Sequence, residues 1–175
     1  MEPFQYLEHT ADVKFRARGH SLEEMFGNSA LAMFNAMTDT SKVKNRETWT
    51  IELESESLEG LLYEWLSELL YLFDVELALF ASFEVELAQV GSKQVRPEQA
   101  GKQVGSEQME TEQLGPTQSD SGTGSEGWKL KARVGGERID PKRHFFETEV
   151  KAVTLHQFEV AQEENLWIAQ VILDV

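Results

Sequence analysis

The chain has 175 residues, no cysteine and a formal net charge of −15, with 41% hydrophobic residues. That length and apolar content suit one domain with a real core, and the missing cysteines exclude disulfides, thiolate zinc sites and cysteine nucleophiles. The charge repels phosphate backbones and lacks the basic footprint of nucleic-acid binders, so direct nucleic-acid binding is not expected; either it steers a basic protein partner or it serves solubility alone. The longest apolar helix candidate, residues 58–77, carries Glu59, Glu64, Glu68, Asp74 and Glu76, which excludes an ordinary membrane span. No basic run followed by an apolar stretch opens the chain, so the expected location is cytoplasmic.

Residues 4–18 read as a half-buried strand, with Val13, Phe15 and Ala17 on one side and Lys14, Arg16 and Arg18 on the other. Gly19 and His20 break it. Ser21 and Glu24 form a capping box that starts a helix, whose apolar stripe runs from Leu22 through Phe26, Ala30 and Met33 to Met37. The turn 38–41 closes it. Trp49, Ile51 and Leu53 mark a second strand over 48–54, and Ser57 caps a second helix striped by Leu58, Leu62, Trp65, Leu69 and Phe73. Leu79, Ala81, Phe83, Val85 and Leu87 alternate as a third strand.

From 89 to 127 the pattern changes. Gln recurs at 89, 94, 99, 103, 108, 113 and 118 in a decayed pentapeptide repeat rich in Gly, Ser and Glu. Its apolar content is too low for a core, so it reads as a disordered insertion at a hairpin tip, where extra length costs little closure entropy. Trp128, Leu130, Ala132 and Val134 resume alternation against Lys129, Lys131 and Arg133, and Gly135-Gly136 reads as a turn. Ile139-Asp140-Pro141 marks a loop, residues 146–160 read as a strand, and Glu163-Glu164-Asn165 turns the chain. The last strand, 166–175, is apolar on both faces except for Gln170 and Asp174, which argues for a central, doubly covered place in a sheet. With two helices early and strands dominating late, the expected class is α+β: a single two-layer domain over 1–175, with a mixed β-sheet and both helices on one face.

Asp174 sits among apolar neighbours, and carboxylates resist burial unless paired or bound to a cation. If the chain ends meet, Asp12, Asp174 and the carboxylate of Val175 make an all-oxygen pocket of the kind hard cations prefer. Glu8 and His9 stand near Asp12 as groups that support a ligand or touch a partner. Glu149 and Lys151 share a strand face, which makes Lys151 a candidate counter-charge for the acidic pocket. No nucleophile elbow, glycine-rich phosphate loop or zinc-spaced histidine cluster is present.

The run Tyr6-Leu7-Glu8-His9-Thr10-Ala11-Asp12-Val13, the stretches 30–34, 37–39 and 69–74, the segment Thr148-Glu149-Val150-Lys151-Ala152-Val153-Thr154 and the ending Leu173-Asp174-Val175 resemble the archease family. The resemblance covers nearly all of 4–87 and 128–175. It implies a small α+β fold and a role outside catalysis, as an activator of an RtcB-type RNA ligase in tRNA splicing and repair that promotes ligase guanylylation and multiple turnover. It also implies a metal site at Asp12, Asp174 and Val175, with calcium as the expected ion, and places Lys151 near it. Glu8 and His9 match the motif without an assigned role. The insertion 89–127 departs from the family by replacing a short connection between strands, and Leu155 stands where an aromatic residue is expected. Two other function classes stay open on the residues alone: a metal-dependent phosphoester hydrolase and a chaperone-like binding module.

Overall fold

The computed structural model describes residues 1–8, 11–91 and 127–175. Seven strands and two α-helices lie among the described residues: β1 (Phe4–Leu7), β2 (Val13–Gly19), α1 (Leu22–Met37), β3 (Glu47–Ser55), α2 (Leu58–Glu76), β4 (Ala78–Val90), β5 (Gly127–Arg138), β6 (Ala152–Glu163) and β7 (Leu166–Asp174). The α+β class holds. The strands divide into two antiparallel sheets, ordered β1-β2-β7-β6 and β3-β5-β4, where one mixed sheet was expected. Both helices pack against both sheets, α1 on β2, β7 and β4, α2 on β6, β3, β5 and β4. Two wide apolar stripes can cover two sheet faces, and that is how one core serves both.

The helix starts follow the caps read from sequence. The Ser21 hydroxyl accepts the Glu24 amide at 3.1 Å, and a Glu24 carboxylate oxygen accepts the His20 amide at 2.6 Å. The Ser57 hydroxyl accepts the Gly60 amide at 3.0 Å. Each cap satisfies amides that the first turn leaves orphaned, worth about 1 kcal/mol. The core is dense with aromatic rings: Phe34 stands edge-on to Phe80 at 5.3 Å, and the fully buried Trp65 donates its indole N–H to the Phe26 carbonyl at 3.2 Å.

Three local readings are corrected. Residues 4–18 form two strands, β1 and β2, paired from Phe4↔Ala17 to Leu7↔Lys14, with the Glu8–Asp12 segment connecting them. Gly135 and Gly136 are no turn but lie inside β5, opposite a register shift between Phe80 and Ser82. A Cβ on Gly136 would run into the backbone of Leu79 and Phe80, so the glycine permits strand approach. Residues 146–151 belong to a loop, and β6 begins at Ala152. The ending 166–174 behaves as expected: β7 is central, between β2 and β6.

Of the 89–127 repeat, Gln89 and Val90 end β4 and Gly127 starts β5, paired as Val90↔Gly127. The insertion therefore joins two neighbouring antiparallel strands. The expectation of disorder falls on 92–126, outside the described residues.

Candidate metal centre

Sheet order brings the start of β2 beside the end of β7. The β2–β7 register ends at Val13↔Leu173, so Asp12 and Asp174 are the next residues on two neighbouring strands. On its other side Asp174 pairs with Ala152, and its carbonyl accepts the Lys151 amide at 2.8 Å. Asp12, Asp174, Val175 and Lys151 thus collect at one end of the β1-β2-β7-β6 sheet. Asp174 is exposed and Asp12 half-buried. Val175 is half-buried because its side chain packs on the core, which holds the adjoining main chain in place.

Beside Asp12 lies a hollow of about 340 Å³, lined by Tyr6, Glu8, Asp12, Lys14, Asn35 and Glu147 among others. Tyr6 is fixed in its lining by the phenol, which donates to the Ala32 carbonyl at 2.8 Å. Burial, with the nearby Glu147 carboxylate adding to it, raises the Tyr6 pKa above the ordinary value, and a hydrogen bond with Asn35 opposes the shift. Glu147 reaches this hollow because its amide donates to the Met37 carbonyl at 2.9 Å, tying the 139–151 loop to the end of α1.

Two aspartates and the main-chain oxygen of Val175, with no nitrogen or sulfur group among them, are donors of the kind a hard cation would take. Among the described residues no group of three or more His, Cys, Asp or Glu side chains gathers around one point. An ion held here would draw on Asp12, Asp174 and Val175, with water filling the rest of its shell. Glu8 lies on the hollow, close to Asp12. His9 falls outside the described residues. Lys151 contributes through its backbone, and among the described residues its ammonium enters no ion pair.

A buried carboxylate that the sequence reading missed lies at the end of β5. Glu137 is 2% exposed; it accepts from Arg143 at 2.6 and 3.2 Å, from the Lys44 amide at 2.9 Å and from His144 Nε2 at 3.1 Å, and forms an ion pair with Arg46 at 3.3 Å. His144 Nδ1 accepts the Asp140 amide at 2.9 Å, so Nε2 carries the proton that Glu137 receives. The Arg143 guanidinium above all holds the Glu137 pKa down to about 2, against the penalty of burial. In sequence Glu137 has the parity of the exposed Lys131 and Arg133; it is buried because Arg143 and His144 fold back over it. The one available signal was a lone glutamate a turn's length before Arg143-His144.

The Archease protein family matches residues 4–114 and 107–175 of the chain. A protein archease of Methanosarcina mazei is 40% identical over 98% of this chain and 95% of its own length. One from Pyrococcus abyssi is 34% identical over all of both chains. The solution structure of a Methanobacterium thermoautotrophicum protein superposes over the full length of both chains with a TM-score of 0.70 at 34% identity. With that coverage and identity, this chain belongs to the archease family.

Proposed function

We infer that this protein is a metal-binding accessory protein that activates an RtcB-type RNA ligase, promoting its guanylylation and multiple turnover in tRNA splicing and RNA repair. The observation that carries the reading is the meeting of Asp12 with Asp174 and Val175 across β2 and β7, in a chain of the archease family. Asp12, Asp174 and the Val175 carboxylate would hold the ion, calcium or another divalent cation, whose bound charge would organise an otherwise repulsive group of carboxylates. Glu8 and Glu147 keep the adjoining hollow acidic. Such a rim favours a basic partner surface and steers its approach.

Asp12→Asn and Asp174→Asn test this directly. Neither side chain is enclosed in the core, so both variants should still fold cooperatively, as thermal unfolding without metal would show. Calcium binding by calorimetry and stimulation of ligase turnover should both be lost. Variants that stimulate the ligase as wild type does would refute the proposal.

A second reading, a binding module for apolar surfaces, is favoured by Phe145, 72% exposed and followed by the exposed Phe146. The backbone around them is pinned, since the Phe145 carbonyl accepts the Thr38 hydroxyl at 2.9 Å. Phe145→Ser would then abolish suppression of aggregation of unrelated clients, while ligase stimulation through the acidic site would remain.

A further inference from the structure

We propose that the outer face of the β1-β2-β7-β6 sheet binds the phosphate backbone of a single-stranded RNA along Lys14, Arg16 and Arg18. The chain contains two nearly identical basic strands, Lys14-x-Arg16-x-Arg18 in β2 and Lys129-x-Lys131-x-Arg133 in β5. Their surroundings differ. On β5, Lys129 pairs with Glu54 at 2.5 Å and Lys131 with Glu52 at 3.2 Å, both from β3. On β2 all three cations rest on neutral glutamines: Lys14 donates to Gln157 at 2.7 Å, Arg16 to Gln170 at 3.1 Å and Arg18 to Gln5 at 3.3 Å. No carboxylate of the described residues comes within ion-pair distance of these three.

A glutamine oxygen orients a cation without cancelling its charge. In a chain of net charge −15, three cations held in this way place a local positive field on the β1–β2 side of this face, opposed from β6 by Glu159 and Glu163. Screening over roughly 8 Å at physiological salt lets that local field dominate at contact. Side chains repeat every second residue along one strand face, roughly 6.6 Å, a step close to that between successive phosphates of an extended strand. The side-chain stems also lie over Ile168 and Ile172, which are buried on the same face of β7, so the cations sit on a fixed floor. Glu159 and Glu163 flank Arg16 on the β6 side, leaving β1 as the side on which a polyanion lies. The expectation of no nucleic-acid contact came from total charge, which averages over faces.

The test is fluorescence anisotropy of a labelled single-stranded RNA with the full chain alone, at several salt concentrations. Three phosphate contacts predict a slope of log K against log salt of about −2. Lys14→Gln, Arg16→Gln and Arg18→Gln together should weaken binding on the order of tenfold or more at low salt and flatten that slope. Lys129→Gln with Lys131→Gln should leave both unchanged. Should the triple variant unfold by exposing Ile168 and Ile172, Gln5→Glu supplies the answer. It keeps every stem, places a carboxylate beside Arg18 at an exposed position, and should weaken binding severalfold. Three results would overturn the proposal: no binding by the wild type, equal losses on the two sheets, or displacement of RNA by polyglutamate as readily as by unlabelled RNA. No ligase is present in the assay, so its failure leaves the activator reading standing, and the reverse.

Discussion

Glu137 gathers four hydrogen bonds on one carboxylate, and it shows what parity alone cannot reveal. Four hydrogen bonds and the Arg46 charge, from the two segments 44–46 and 143–144, meet one buried carboxylate. Glu137→Gln would keep the shape but leave the Arg143 guanidinium facing a neutral amide; a loss of about 3 kcal/mol is expected from removing one partner of such a pair. The pH dependence has a definite sign. The folded-state pKa, about 2, lies below the ordinary 4.5, so the ionised group favours the folded state. Its contribution is complete above about pH 4.5 and fades as pH falls towards 2. Urea unfolding of both proteins should show a constant gap above pH 5 that closes in acid. A gap that persists at pH 2 would mean that Glu137 acts by packing alone. Asp12 and Asp174 drew notice in sequence for the cost of a carboxylate inside an apolar ending; Asp174 is exposed, so that cost does not arise, and what the structure adds is the β2–β7 register that sets the two residues side by side.

At the scale of elements, helices were the most legible, because two capping signals and two stripes with helical spacing agree with one another. Strand boundaries were less so. Alternation runs straight through hairpins and bulges, since side-chain parity carries no mark of where the backbone turns. The run 4–18 concealed the connection at Glu8–Asp12, and the glycine pair of β5 was read as a turn because Gly-Gly usually is one. Gly136 offers a measurement that separates the two readings. In a surface turn Gly136→Ala would cost little. Inside β5 its Cβ meets the backbone of Leu79 and Phe80, and main-chain atoms cannot step aside as a side chain can. A loss of about 3 kcal/mol or more is expected, with the midpoint of thermal unfolding falling accordingly. An unchanged midpoint would mean that β4 and β5 approach less closely than described.

For the molecule as a whole, the division into two sheets was not written in the strands themselves. Each strand shows only which of its faces is apolar; which strands pair depends on how two helices share their stripes between two surfaces. The consequence is a separation of tasks. The candidate centre and the glutamine-held cations belong to the β1-β2-β7-β6 sheet, while the 89–127 insertion joins β4 to β5 in the other. Replacing residues 91–126 with Asn-Gly tests that separation, because Val90 and Gly127 already face each other as a hairpin end and a two-residue turn suits such strands. Shortening the connection lowers the closure entropy of the native hairpin, so stability should rise, by up to about 2 kcal/mol. Calcium affinity should be retained, since no residue of the candidate centre is touched. A shortened chain that unfolds at lower temperature, or that no longer binds calcium, would show that the insertion supports the domain on which it is carried.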